Sequence, residues 1–278
     1  MAQWAPGRVG AMQYRALGRT GQKLSVIGFG GIVVSETTPE EASRLVSSAV
    51  ARGVNYFDVA PSYGDAEEKL GPALKPHRDA VFLACKTQCR DAEGATAELD
   101  ASLKMMHTDH FDLYQLHAMT KLEDVETVLG PGGALEAFER ARDAGKVRYL
   151  GFSAHSAEAA EQLLDRFPFD SVLFPLNFAT YLEGNFGPQV IAAAQRRGAG
   201  VLALKGMART RWPEGTARED RRWKKAWYEP LDDRALASLA LRFTLGLGVT
   251  AAIPPGHAEL FDLALEIARD LRPLSEAE

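Results

Sequence analysis

Short apolar runs recur along the chain, separated by longer stretches in which apolar residues return with helical spacing. The short runs are rich in Val, Ile, Leu and Phe and show little polar alternation, which is typical of parallel strands buried on both faces. They predict strands at residues 25–34, 55–60, 80–86, 111–117, 147–153, 171–177, 200–206 and 249–254.

The longer stretches carry helix signals. In the first, Thr38 is a candidate N-cap, Pro39 stands in the first turn, and acidic residues follow near the positive end of the helix dipole. An apolar stripe comes next, and Gly53 is a typical C-terminal stop. Comparable patterns predict helices at residues 66–75, 95–107, 134–144, 157–166, 189–197, 232–245 and 257–271.

Eight strands, each followed by a helix, predict one (β/α)8 barrel spanning residues 12–278 behind a short tail, residues 1–11. A doubly wound dinucleotide-binding sheet is disfavoured, because the glycines at 28–31 fall inside the first strand pattern with no helix directly after them. Residues 14–17 and 22–24 flank a Gly-Arg-Thr-Gly turn, which predicts a β-hairpin that closes the N-terminal mouth of the barrel.

Composition narrows the function class. A net charge of −5 argues against nucleic acid or an anionic membrane as the main partner, and no apolar stretch is long enough for a membrane span of about 18 residues. The two cysteines, Cys85 and Cys89, imply neither a disulfide framework nor a metal site. We therefore expect a cytoplasmic enzyme acting on a small molecule, with no metal and with a monomer as the default state.

Ionisable and phenolic residues stand where the predicted strands end. Asp58 ends the second strand, Lys86 the third and His117 the fourth, and Tyr63 follows in the loop after the second. Each alone has a structural explanation as a helix cap, a solvent-reaching lysine or a core histidine. Because the carboxyl ends of barrel strands converge on one axis, and buried charges are costly unless paired, the set indicates an active site.

The run FDVAPSYG at residues 57–64, with Glu68 and Leu70-Gly71 just after it, closely resembles the motif of the aldo-keto reductases. Lys86 and His117 fall where that family places the rest of its Asp–Tyr–Lys–His tetrad. The resemblance extends from Tyr14 to about residue 268. It implies hydride transfer between a nicotinamide cofactor and a small-molecule carbonyl, with Tyr63 as the proton donor.

The chemistry of this tetrad follows from physical principles. A free phenol has a pKa of about 10 and is a reluctant donor near neutrality, so a nearby lysinium is expected to lower the pKa of Tyr63. Asp58 would keep Lys86 charged and in place. His117 would donate a hydrogen bond to the carbonyl oxygen and stabilise its developing negative charge.

The resemblance also implies a cofactor site along the barrel mouth. Ser153 matches a serine that binds the nicotinamide amide, whereas Ala154 and Leu173 replace the usual Asn and Gln, with Asn177 or His155 as candidate substitutes. The remaining candidates are glycines near the nicotinamide and segments after the seventh and eighth strands. They are Gly30, Gly31, Leu204, Lys205, Gly206, Met207, Pro255, Gly256 and His257.

The adenosine end of the cofactor is less well matched. Many members that prefer NADP carry Lys-Ser and then Arg after the eighth strand, where this chain has Pro255-Gly256-His257 and then Phe261. A phosphate could still meet His257 and backbone N–H groups at the following helix start, or His257 could be an ordinary helix-start residue. The family favours NADP, and NAD stays open.

Substrate contacts are expected from Ile32, Ala118 and Trp212, within walls formed by residues 118–129 and the tryptophan-rich segment 208–230. A segment of that length in a compact barrel is typical of a lid. The tetrad serves both reaction directions, so an NAD(P)-dependent dehydrogenase for a sugar or secondary alcohol is an alternative to a carbonyl reductase. A nucleotide-sensing regulatory subunit is a second alternative, disfavoured by the intact tetrad.

Overall fold

A computed structural model describes residues 10–278, so residues 1–9 of the predicted tail lie outside the described residues. Eight of its strands form one parallel sheet in the order β3-β4-β5-β6-β7-β8-β9-β12. All strands are β1 Tyr14–Ala16, β2 Lys23–Ser25, β3 Phe29–Gly30, β4 Tyr56–Asp58, β5 Phe82–Thr87, β6 Phe111–Met119, β7 Val147–Ala154, β8 Ser171–Pro175, β9 Gly200–Leu204, β10 Ala208–Thr210, β11 Glu229–Pro230 and β12 Ala251–Ile253.

The sheet closes on itself between its first and last strands. Ile27 bridges Ala252 in parallel, with Gly28 N–H donating to the Ala252 carbonyl at 3.0 Å and Ala252 N–H donating to that of Val26 at 2.9 Å. Closure removes the sheet edges and produces two apolar layers, one inside the barrel and one between strands and helices. The predicted (β/α)8 barrel is confirmed.

The helices surround the barrel. Thr38 Oγ1 accepts from Glu41 N–H at 3.2 Å, which confirms the predicted N-cap of the first helix. None of the helices in the described part of the chain is long and apolar enough to cross a membrane. They are α1 Pro39–Ala51, α2 Ala66–Leu74, α3 Ala92–Met105, α4 Leu122–Leu129, α5 Ala134–Asp143, α6 Ala157–Arg166, α7 Phe178–Leu182, α8 Pro188–Arg197, α9 Arg234–Gly246 and α10 Ala258–Arg269.

The hairpin of β1 and β2 covers the N-terminal mouth, as predicted. Leu17 and Leu24 are fully buried in the apolar cluster inside the barrel. Gly18 lies so close to the start of β9 that a Cβ there would be 2.4 Å from the Gly198 carbonyl oxygen. Arg19 adds a hydrogen bond to the Pro168 carbonyl at 2.5 Å. The hairpin therefore closes this mouth, and the predicted catalytic groups lie at the opposite one, where the strands end.

Two predictions about elements were wrong. The predicted first strand, residues 25–34, contains the last residue of β2 and the short β3, and continues as a buried 3-10 helix, Gly31–Val34. The segment 118–129, for which no helix was predicted, contains α4. Periodicity missed both because a buried 3-10 turn reads like a strand, and because α4 buries only Val125 and Val128.

Candidate active site

A buried ion pair lies at the base of the open mouth. Asp58 ends β4 and Lys86 lies on β5, two residues beyond the register partner of Asp58. Lys86 Nζ bonds Asp58 Oδ1 and also donates to the Val59 carbonyl at 3.1 Å. Lys86 is completely buried and Asp58 is 2% exposed. Burial alone would lower the pKa of Lys86, but the carboxylate of Asp58 together with the neighbouring Tyr63 and Cys85 outweighs burial and raises the pKa, so the lysine stays charged.

Two further side chains hold the carboxylate. Tyr56 OH and Gln115 Nε2 each donate to Asp58 Oδ2 at 3.1 Å. Both were missed from the sequence, although the strand period contained a signal. Tyr56 stands two residues before Asp58, and Gln115 two before His117, so each shares the inward strand face of a predicted catalytic residue. Asp58 is thus fixed by three partners.

Tyr63 lies in the loop after β4, in a turn closed by its N–H donating to the Ala60 carbonyl at 3.0 Å. Lys86 Nζ is 5.0 Å from the centroid of its ring. Burial raises the pKa of Tyr63, and Lys86 lowers it by a smaller amount. The predicted net lowering of this pKa is therefore wrong for the structure, because burial outweighs the one nearby cation. The phenol is protonated at neutral pH.

His117 packs against Tyr63, with the two rings nearly perpendicular and their centroids 5.7 Å apart. Arg90 Nη2 donates to the His117 carbonyl at 2.8 Å, which fixes the backbone there. Burial, aided by the charge of Lys86, lowers the pKa of His117 to about 3. The imidazole is therefore neutral at physiological pH and can offer one N–H to a ligand without carrying charge.

These four residues line one cleft of about 410 Å³ at the carboxyl ends of the strands. A charged lysine, a protonated phenol and a neutral imidazole thus converge on one space. Such a set can give a proton to an oxygen and stabilise negative charge on it. Within residues 10–278 no group of three or more His, Cys, Asp or Glu side chains could hold a metal ion.

The residues predicted to hold a cofactor divide into two groups. Those that line the cleft are Gly30, Ser153, Leu204, Lys205, Pro255 and Gly256, together with the proposed substitute His155. Those that do not line it are Gly31, Asn177, Gly206, Met207 and His257.

Most of the second group have structural contacts instead. Asn177 caps α7, its side-chain oxygen accepting from Thr180 N–H at 3.0 Å. A Cβ on Gly31 would be 2.7 Å from Val59 Cγ2, so that glycine allows close packing behind the cleft. His257 Nε2 accepts from Lys225 N–H at 2.9 Å. This histidine therefore anchors a loop rather than facing the cleft.

That loop, residues 208–230, is here called the cover loop. Its β10 and β11 pair with each other, and its residues 225–228 line the cleft. Lys225 Nζ donates to the Val33 carbonyl at 3.2 Å and to that of Ser35 at 2.5 Å, joining the loop to the segment that follows β3. The segment predicted as a lid thus covers part of the active-site mouth.

The predicted substrate residues are also divided. Ile32 lines the cleft, whereas Ala118 and Trp212 do not. Trp212 is turned inward, donating from Nε1 to the Ala226 carbonyl at 2.9 Å. The tryptophan at the cleft is Trp227, which is 67% exposed and lies 6.0 Å from Tyr63 between ring centroids. Loop sequence alone gave no signal to separate these two tryptophans.

Comparison with known proteins shows to which family this arrangement belongs. Residues 26–257 match the Aldo/keto reductase family, and this region contains all four converging side chains. The chain belongs to this family.

Relatives of this aldo-keto reductase include the aldo-keto reductase YhdN of Bacillus subtilis, 32% identical over 60% of this chain and 54% of its own length. L-galactose dehydrogenase of Arabidopsis thaliana is 26% identical over 71% of this chain and 66% of its own. The match thus spans about half to two thirds of these two proteins. The holo form of an aldo-keto reductase from Bacillus halodurans superposes with a TM-score of 0.74 at 25% identity, covering 96% of this chain and 94% of that one.

Proposed function

We propose that this enzyme reduces an aldehyde or ketone, with hydride from NADPH and with Tyr63 as the proton donor. The observation that carries the proposal is the convergence of Tyr63, Lys86 and His117 on one cleft, with Lys86 held charged by buried Asp58. When bound, the nicotinamide supplies the hydride to the carbonyl carbon. Tyr63 gives a proton to the carbonyl oxygen, and neutral His117 orients that oxygen by a hydrogen bond.

The cleft fits a flat nicotinamide group. Its wall beside the strand ends consists of Gly30, Leu204 and the segment after β12, which is largely apolar. A Cβ on Gly256 would be 2.0 Å from Ile32 Cγ2, so only glycine leaves this wall intact. Ser153 Oγ already accepts from Ala118 N–H at 2.7 Å, so its own proton is left to donate to a carboxamide oxygen.

The protonation state of Tyr63 near neutral pH is the one that reduction requires. A phenol whose pKa is raised by burial is in the form that donates a proton, whereas oxidation of an alcohol needs the phenolate to accept one. The relative named L-galactose dehydrogenase supports the opposite direction as a second candidate, because the same four residues serve both. Because the phenol is in its protonated form, we propose reduction as the main direction of the reaction.

The choice between NADPH and NADH depends on the adenosine end. Family membership supports NADPH. One observation favours NADH, since Phe261, at the position of the expected arginine, is buried against Phe29 with ring centroids 5.0 Å apart. His257, the other candidate phosphate contact, is engaged by Lys225 N–H. Tryptophan-fluorescence titrations with both cofactors decide between them, and equal or tighter binding of NADH overturns the NADPH assignment.

Tyr63→Phe tests the proton donor. We expect kcat for a panel of aldehydes to fall at least about a thousandfold, with the Kd for the preferred cofactor changed by less than about twofold. Tyr149→Phe is the matched control, because that phenol lies at the hairpin end and donates to the Thr20 carbonyl. Near-normal turnover by Tyr63→Phe would show that another group delivers the proton.

A further inference from the structure

A second cavity of about 420 Å³ adjoins the cleft and has no part in the proposed reaction so far. Both cavities share the rings of Tyr63 and Trp227 and the side chain of Ile32. A molecule whose carbonyl meets Tyr63 therefore has a second space within reach, on the side of the cover loop. Basic side chains outnumber acidic ones in the lining of this second cavity.

Four cations line this cavity, Arg218, Arg221, Lys224 and Lys225, against two carboxylates, Glu36 and Asp65. Both carboxylates already have hydrogen-bonding partners. Glu36 pairs with Arg218 at 2.6 Å, and Asp65 Oδ1 accepts from Glu36 N–H at 2.9 Å. Lys225 is held by the carbonyls of Val33 and Ser35. Positive charge is left in excess at Arg221 and Lys224.

Arg221 is a candidate for binding an anion, because part of its guanidinium has no hydrogen-bond partner in the described part of the chain. Its guanidinium lies over the Trp212 ring at 5.5 Å, and Nη2 donates to the Thr216 carbonyl at 3.2 Å. Its Nε is buried and has no hydrogen-bond partner among residues 10–278. Arg221 lines the cavity and carries further N–H donors besides the buried Nε, so an anionic oxygen in the cavity can meet this guanidinium.

We propose that this cavity binds the anionic group, a carboxylate or a phosphate, of a carbonyl substrate whose C=O lies at Tyr63. Arg221 and Lys224 are its specificity-determining residues, and Trp227 separates them from the reacting carbonyl. This inference rests on the proposed reductase function and narrows its substrate class to acidic aldehydes or ketones.

The anion is assigned to the substrate rather than to the cofactor because of how the two spaces are lined. The cofactor candidates at the cleft, Gly30, Ser153, Leu204 and Pro255 among them, line the first cavity and not the second. The residues common to both cavities are Ile32, Ser62, Tyr63, Lys225, Ala226 and Trp227. A charged group in the second cavity therefore approaches Tyr63 from the side away from those residues.

The test compares 4-carboxybenzaldehyde with benzaldehyde, which have the same reacting group and differ in one carboxylate. We expect the intact enzyme to show a kcat/KM at least about tenfold higher for the acid, and Arg221→Gln or Lys224→Gln to reduce this ratio about tenfold through KM. Arg222→Gln is the matched control, because Arg222 pairs with Asp232 at 2.8 Å outside the cavity. Added salt should lower the ratio in the intact enzyme.

The outcomes separate the two proposals. If the intact enzyme reduces benzaldehyde but shows no preference for the acid, or if Arg222→Gln changes the ratio as much as Arg221→Gln, the anion site is refuted. If Arg221→Gln raises the Kd for NADPH and leaves the ratio unchanged, the cavity serves the cofactor and the inference is overturned. If neither aldehyde is reduced, the proposed function itself fails. Lys224 is exposed, so its variant tests the site even if Arg221→Gln does not fold.

Discussion

Replacing Lys86 by methionine tests the central physical claim about the active site, that a buried ion pair sets its charge. Lys86→Met retains the length of the side chain and leaves Asp58 without its cation. Breaking a buried pair from one side costs about 3–5 kcal/mol, because the remaining charge has neither water nor a counterion. Asp58 is 2% exposed but keeps the donors Tyr56 OH and Gln115 Nε2 at 3.1 Å. We therefore expect the free energy of unfolding to fall by about 3 kcal/mol, the lower end of that range.

The double variant Lys86→Met with Asp58→Asn separates stability from catalysis. The amide introduced at position 58 still accepts from Tyr56 and Gln115 without carrying charge, so we expect it to recover about 2 kcal/mol of the loss. Turnover should stay at least about a hundredfold below the intact enzyme in both variants, since neither has a cation beside Tyr63.

Urea unfolding followed by circular dichroism gives the three free energies of unfolding, and aldehyde reduction gives kcat for the same preparations. The reasoning is refuted if Lys86→Met unfolds within about 1 kcal/mol of the intact enzyme, or if the double variant is no more stable than the single one. Either result would mean that the pair is hydrated and that Asp58 is not an isolated charge once Lys86 is removed.

Two further predictions concern the site and the closed end of the barrel. Since burial raises the pKa of Tyr63 and lowers that of His117 to about 3, kcat/KM for reduction should be flat between about pH 6 and 9 and fall only as Tyr63 loses its proton. An inflection near about pH 6.5 would show that His117 titrates normally. Gly18→Ala should lower the stability to thermal unfolding by about 2 kcal/mol with kcat unchanged, because Gly18 has φ +49° and its Cβ would be 2.4 Å from Gly198 O. Gly246→Ala, where a Cβ meets open space, is the control and should change stability by less than about 0.5 kcal/mol.

The barrel could be predicted from the sequence because the strands of its eight-stranded sheet are largely buried on both faces and most of its helices on one. The apolar run at residues 111–117 corresponds to β6, Phe111–Met119, and the capped pattern after Thr38 corresponds to α1. Prediction failed where a buried segment forms neither a strand nor an α-helix. Gly31–Val34 is almost entirely buried yet forms a 3-10 turn, which no period of two or 3.6 residues can identify.

The candidate site shows the same division. Asp58, Lys86 and His117 could be placed because strand ends of a barrel converge whatever the loops do. The roles of Lys225 and Trp227 could not, since the path of the cover loop depends on contacts distant in sequence, such as His257 Nε2 with Lys225 N–H. The sign of the pKa shift of Tyr63 was also beyond reach, because it depends on how deeply the phenol is buried.

Closure of the barrel through Ile27 and Ala252 has a consequence for biosynthesis. All four tetrad residues belong to the first 117 residues of the chain, whereas much of the cleft wall comes from residues 204–256. The N-terminal hairpin likewise docks on residues far ahead of it, with Arg19 bonding the Arg197 carbonyl 178 positions away. Pairings so distant form late in folding. A nascent chain therefore carries the complete set of reacting groups well before it has a pocket to hold them, and becomes an enzyme only when its last strand is in place.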